Sequence, residues 1–144
     1  MRRPAPAVLL ALVIPGIIGL MSALQSYLLM PSTGARLSFP VVVGYNFGSW
    51  YAWAALAPLI IRLGRRFPLD GRAWRRSLPV HVVGGALIGM VHALVSAICV
   101  WLAIRTIENE TLGRLIRGSM FLRFHVELLV YWAILGASLA VDYR

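Results

Sequence analysis

The chain has one cysteine and five acidic residues among 144, and all fourteen of its basic residues are arginine. Each shortage removes a class of explanation. A lone Cys99 can close no disulfide and build no thiolate metal site within one chain. Charged residues make up 13% of the chain against 60% hydrophobic, whereas soluble domains run at roughly a quarter charged. That leaves too little polar surface to cover a water-facing globule. Also missing are HExxH, a Walker loop, a glycine-rich nucleotide motif and a nucleophile elbow, so no catalytic residue, metal ligand or cofactor is expected. The absence of lysine, beside abundant Ala, Gly, Leu and Val, hints at a GC-rich coding sequence and a bacterial source.

What the chain does have is long apolar runs and a mean hydropathy of +0.79. Crossing about 30 Å of hydrocarbon takes roughly 20 helical residues. Four runs qualify, at about residues 8–30, 40–63, 78–104 and 120–141. The expected fold is therefore all-α, one membrane domain over residues 1–144 built as a bundle of four transmembrane helices. A signal peptide is the rival for the first run, but the run exceeds the usual length and no small-x-small cleavage pattern follows cleanly. Ser38 with Pro40, and Ser77 with Pro79, read as starts of the second and third helices. Gly44/Gly48 and Gly85/Gly89 have the spacing that lets helices approach closely, within one bundle or between two copies.

Orientation follows from arginine. The N-terminus and the segment 62–77 hold two and six arginines, the first loop one (Arg36) and the segment 105–123 four, so both termini and the basic loop are expected on the cytoplasmic side, with the loop 105–119 outside. In that loop Arg62, Arg65, Arg66, Arg72, Arg75 and Arg76 are placed to meet anionic headgroups, each contact worth about 1 kcal/mol. Phe67 and Trp74 can dip into the interface, and Pro68-Leu69-Asp70-Gly71 is turn chemistry. Nucleic acid is not an expected partner despite a pI of about 11.3, because a loop pinned to the bilayer at both ends offers no platform for it. Leu112, Leu115 and Ile116 alternate with Arg114 and Arg117 as in a short helix lying on the membrane surface. Asn109-Glu110-Thr111 is read as a chance match to a glycosylation site.

Ionisable residues inside the apolar runs are the candidates for function. His81 and His92 share a face of the third helix but stand about 16 Å apart along it, too far to share a metal. His81, near the inner boundary, can snorkel. His92, near mid-membrane, either bonds a neighbouring helix or serves a sensing role. Arg123 and Glu127, at i and i+4, are expected to pair with each other, and His125 beside them could belong to an outward-facing pocket. Counted from outer ends at 104 and 120, Glu127 lies roughly 10 Å deep and His92 roughly 18 Å. A direct bond between those two is not expected.

Two stretches carry a resemblance. WYAWAALAPLIIRLGRRFPLDGRAWRRSLPVHVVGGALIGMVHA, residues 50–93, and FHVELLVYWAILGASLAVDYR, residues 124–144, resemble the N-terminal membrane region of LytS-like bacterial sensor histidine kinases. The shared words are the aromatic start of helix two, ALAPLI around Pro58, RRFPL with Trp74 and Arg75, His81 before a glycine-rich stretch, and Phe-His followed by YWAILG. The resemblance implies a multi-pass sensing and anchoring module in the bacterial inner membrane. It also implies a homodimer, and helix four leading into a cytoplasmic kinase core that acts on a response regulator. That core, with its phospho-acceptor histidine, is not in this sequence, so no catalytic residue carries over. The alternatives are a small transporter or channel subunit, in which His92 and Glu127 line a polar path, and a purely structural membrane protein.

Overall fold

A computed structural model describes residues 6–29, 37–69, 74–104 and 111–142. Those residues are helical throughout apart from short connections. The elements are α1 (Pro6–Leu28), α2 (Phe39–Arg66), α3 (Trp74–Ile104), α4 (Leu112–Leu122) and α5 (Phe124–Asp142). The all-α expectation holds, and the boundaries differ in two instructive places. Ser38 does open α2: its backbone is extended, Pro40 sits in the first turn, and its carbonyl accepts from the N–H groups of Val41 and Val42 at 3.0 and 3.2 Å. Ser77 does not cap α3. That helix starts three residues earlier, at Trp74, and Ser77 is buried inside it with Pro79 two residues further on.

The expected fourth run is the second difference. It is interrupted at Arg123, which is a turn residue, and splits into α4 and α5. The carbonyl of Arg123 accepts from Val126 and Glu127, so α5 has its own start. The short helix foreseen around Leu112, Leu115 and Ile116 is α4, and it runs on to Leu122.

Packing places α2 and α3 at the centre. α1 packs on α2 alone among the described helices, α4 on α3 and α5, and α5 on α2, α3 and α4. One core, of Trp53, Ile60, Ile88, Tyr131 and Leu135, fills the space between α2, α3 and α5. Another, of Ala23, Leu37, Val42 and Ile104 with Leu115 against it, joins α1, α2, α4 and the end of α3. Gly85 and Gly89 are what let α5 come so close to α3. A Cβ on Gly85 would stand 3.1 Å from the Tyr131 ring, and one on Gly89 would stand 3.2 Å from the Glu127 Cβ. That pair of glycines therefore serves packing within the bundle.

The outer faces are apolar. Ile17, Met21, Val83, Leu87, Leu129 and Val141 are each more than half exposed. Two helices, Trp74–Ile104 and the Phe124–Val141 part of α5, are long and apolar enough to cross a membrane, and only 33% and 17% of their most apolar windows are buried. A core helix of a water-soluble protein hides far more of such a surface. α1 adds a shorter apolar stretch, Leu12–Leu28.

Candidate functional site

A cavity of about 360 Å³ lies between α1, α2, α3 and the start of α5. Its lining is polar for so apolar a chain, and it comes from residues recurring at helical spacing. α1 contributes Ser22, Gln25 and Ser26, and α2 contributes Asn46, Ser49, Trp50 and Trp53. On α3, His92 and Ser96 stand one turn apart. Each of three helices thus turns a narrow polar stripe inward while its remaining faces stay apolar.

His92 and Glu127 form the floor, 3% and 5% exposed respectively. The ring Nε2–H of His92 donates to the backbone carbonyl of Ser49 at 3.0 Å. The hydroxyls of Ser49 and Ser96 lie 3.4 and 3.5 Å from the same nitrogen and 2.9 Å from each other. On the opposite edge, Nδ1 stands 2.5 Å from Oε2 of Glu127. Nδ1 has no hydrogen-bond partner of good geometry, so the carboxylate sits beside the ring nitrogen without the alignment of a straight hydrogen bond. Trp53 stacks on the imidazole, with ring centres 4.4 Å apart and planes 23° apart. Above them Trp50 donates its indole N–H to Ser22 at 2.9 Å, tying α2 to α1.

This contact overturns the expectation that Glu127 would pair with Arg123 and lie too shallow for His92. The depth count assumed that the fourth run starts level with the end of α3. Instead α4 packs beside that end, with Leu115 against the cluster of Ile104, and α5 begins far lower. A Cβ on Gly89 would lie 3.2 Å from the Glu127 Cβ, which sets Glu127 itself level with Gly89, fifteen residues or about 22 Å below Ile104. Glu127 then falls within one turn of His92, in reach of its ring. Arg123, at the break, lines the cavity but makes no ion pair with Glu127 among the described residues, and His125 is exposed outside it.

A second histidine repeats the arrangement nearer the arginine-rich end. His81 does not snorkel; it is fully buried, as is Tyr131. Its Nε2–H donates to the carbonyl of Phe67, just beyond α2, at 2.8 Å, and its Nδ1 accepts from the Tyr131 hydroxyl at 2.9 Å. Both histidines of α3 therefore hold a backbone carbonyl from α2 or its end with one nitrogen and a side chain of α5 with the other.

The basic end is described in part. Arg62, Arg65, Arg66, Arg75 and Arg76 are exposed around the end of α2 and the start of α3. Trp74 is 45% exposed, with the Arg75 guanidinium 5.7 Å from its ring centre. Phe67 is half-buried, and its carbonyl is the group that His81 reads. Arg72, the Asp70-Gly71 turn and Asn109-Glu110 lie outside the described residues.

Reading single ionisable residues in turn missed the serines, Asn46 and Tyr131. The signal was present as the i, i+3, i+4, i+7 recurrence of Asn46, Ser49, Trp50 and Trp53 in an apolar helix. No family model, curated protein or solved structure matches the chain. The likeness to LytS-like kinases rests on the sequence words alone.

Proposed function

We propose that the chain is the membrane-embedded sensing and anchoring module of a two-component sensor histidine kinase. It sits multi-pass in a bacterial cytoplasmic membrane, with α1, α2, α3 and the interrupted α4–α5 segment as four passes and both termini inside. The exposed apolar faces support the bilayer as its solvent, and the arginines at the ends of α2 and α3 support that end as cytoplasmic, against anionic headgroups. The module works as a homodimer and relays to a cytoplasmic kinase core and, through it, a response regulator.

The observation that carries this reading is the His92–Glu127 contact. It fastens α5 to the wall of a polar cavity. From there α5 runs through the core at Tyr131 and Leu135 to the arginine-rich end. An occupant or stimulus that favours one position of Glu127 favours one position of the whole helix, which is all that a two-state relay requires.

The test is a chimera. Residues 1–144 are fused ahead of a dimeric kinase core, and single residues are inserted after Val141. Autophosphorylation that rises and falls with the helical period supports the relay, and output indifferent to every insertion refutes it. Solute flux through the unfused chain in proteoliposomes, lost in His92→Ala, would make it a carrier instead.

A further inference from the structure

We propose that the seam between α2 and α3 binds one anionic phospholipid at its arginine-rich end, with an acyl chain in a groove and the phosphate on arginines from both helices. An open groove of about 470 Å³ runs along this seam, lined by Leu63 of α2 and by Pro79, Val80, Val83, Gly84 and Leu87 of α3. It follows α3 for eight residues, about 12 Å. Gly84 creates it. With no side chain there, the gap stays open down to Leu63, whose Cδ2 a Cβ on Gly84 would approach to 2.8 Å. Val83 and Leu87 on its rim are each more than half exposed. None of the six residues carries a polar side chain, so a polar solute would lose its water there for nothing, whereas hydrocarbon loses nothing.

Charge at one end separates this groove from the other apolar faces. α2 runs toward the arginine-rich end and α3 away from it, so the residues after Leu63 and those before Pro79 lie beyond the same end of the groove. Arg66 follows Leu63 by three positions, and Arg75 and Arg76 precede Pro79 and Val80 by four, spacings that put each arginine on the face of its groove residue. All three are exposed. A guanidinium is always charged and forks onto phosphate oxygens, and basic pockets between helices on the cytoplasmic side bind anionic headgroups. A choline headgroup would bring a like charge to the same arginines, so the site prefers a net negative lipid. The seat also reaches the interior: a Cβ on Gly84 would stand 3.6 Å from the hydroxyl of Tyr131, the partner of His81. The lipid therefore lies one layer outside the bond that joins α3 to α5, bracing the end of the bundle from which α5 leaves.

This rests on the membrane placement in the reading above and on none of its signalling. The experiment uses residues 1–144 without an output domain, inserted into vesicles of phosphatidylglycerol and phosphatidylcholine with matched chains, extracted in mild detergent and weighed intact by native mass spectrometry. The expected result is one phosphatidylglycerol retained per chain in preference to phosphatidylcholine. Arg66→Gln or Arg76→Gln should lower that preference about fivefold, whereas Arg117→Gln, on exposed α4 at the other end, leaves it unchanged. Gly84→Val should release the lipid, and Gly44→Val, where a Cβ meets nothing within 4 Å, should keep it. Should Gly84→Val fail to insert, the arginine variants decide alone. Retention without headgroup preference, or equal effects of Arg76→Gln and Arg117→Gln, overturns the proposal. So does a Gly84→Val chain that keeps its lipid but loses a dimer, which would make a second copy the occupant. A chain washed off the vesicles by alkali overturns the membrane reading as well, and an inserted chain with no selective lipid overturns this proposal only.

Discussion

His81 and Tyr131 meet at 2.9 Å with neither side chain reachable by solvent, joining α3 to α5 across fifty residues of sequence. The other nitrogen of His81 is committed to the Phe67 carbonyl, so the ring has no second way to satisfy Nδ1.

Removing the tyrosine hydroxyl should therefore destabilise the bundle out of proportion to its size. Tyr131→Phe keeps the ring that packs on Gly85 and orphans one buried nitrogen, at a cost of about 1–3 kcal/mol. Thermal unfolding in lipid or mild detergent would measure it. A Tyr131→Phe protein as stable as its parent would mean that Nδ1 finds water that the packing leaves no room for.

A methyl group tests the close approach of α3 and α5. Gly89→Ala puts a Cβ 3.2 Å from that of Glu127, whereas Gly44→Ala meets nothing within 4 Å. The first should cost about 1–3 kcal/mol as overpacking. The second should be neutral or gain about 1 kcal/mol from helix propensity. Equal effects at the two sites would contradict the assignment of Gly89 to the interior.

Orientation should depend on the basic end. On the proposed topology, neutralising Arg62, Arg65, Arg66, Arg75 and Arg76 to glutamine removes most of the bias that would hold that end inside. A compartment-sensitive reporter fused after Val141 should then divide between the two sides instead of staying cytoplasmic. Retention on one side would show that some other feature sets the topology.

If two copies associate, α5 offers the flattest surface for it. Ala133, Gly136, Ala137 and Ala140 are exposed on one face, and a Cβ on Gly136 would touch nothing. In a Cys99→Ser background, Gly136→Cys should cross-link two copies in the membrane several times faster than Val82→Cys on the outer face of α3. Equal rates would exclude this face of α5 as the seam between copies.

Much of this architecture could be read from the chain. The apolar runs located α1, α2 and α3, the Ser38-Pro40 pair marked the start of α2, and the Leu-Arg alternation after Thr111 marked α4. The break at Arg123 could not be read, because FLRFHVELL is plausible helix from end to end, yet the structure turns there with α4 packed beside the end of α3. That one misjudged start moved Glu127 about 12 Å in depth by the count of 1.5 Å per residue, enough to hide its contact with His92. Ser77 misled for a related reason: it resembles a cap, yet burial inside the first turns of α3 suits it as well. The partners of the two histidines are likewise questions of which helix lies beside which, and that is decided by long-range packing.

Among the described helices α1 comes close along its backbone to α2 alone, yet it supplies Ser22, Gln25 and Ser26 to the cavity. The cavity is thus walled on one side by a helix secured along a single seam. A shift of α1 about that seam would open the cavity sideways, between helices, leaving both histidine contacts of α3 undisturbed. The wall formed by α1 and the grip on α5 are mechanically separate.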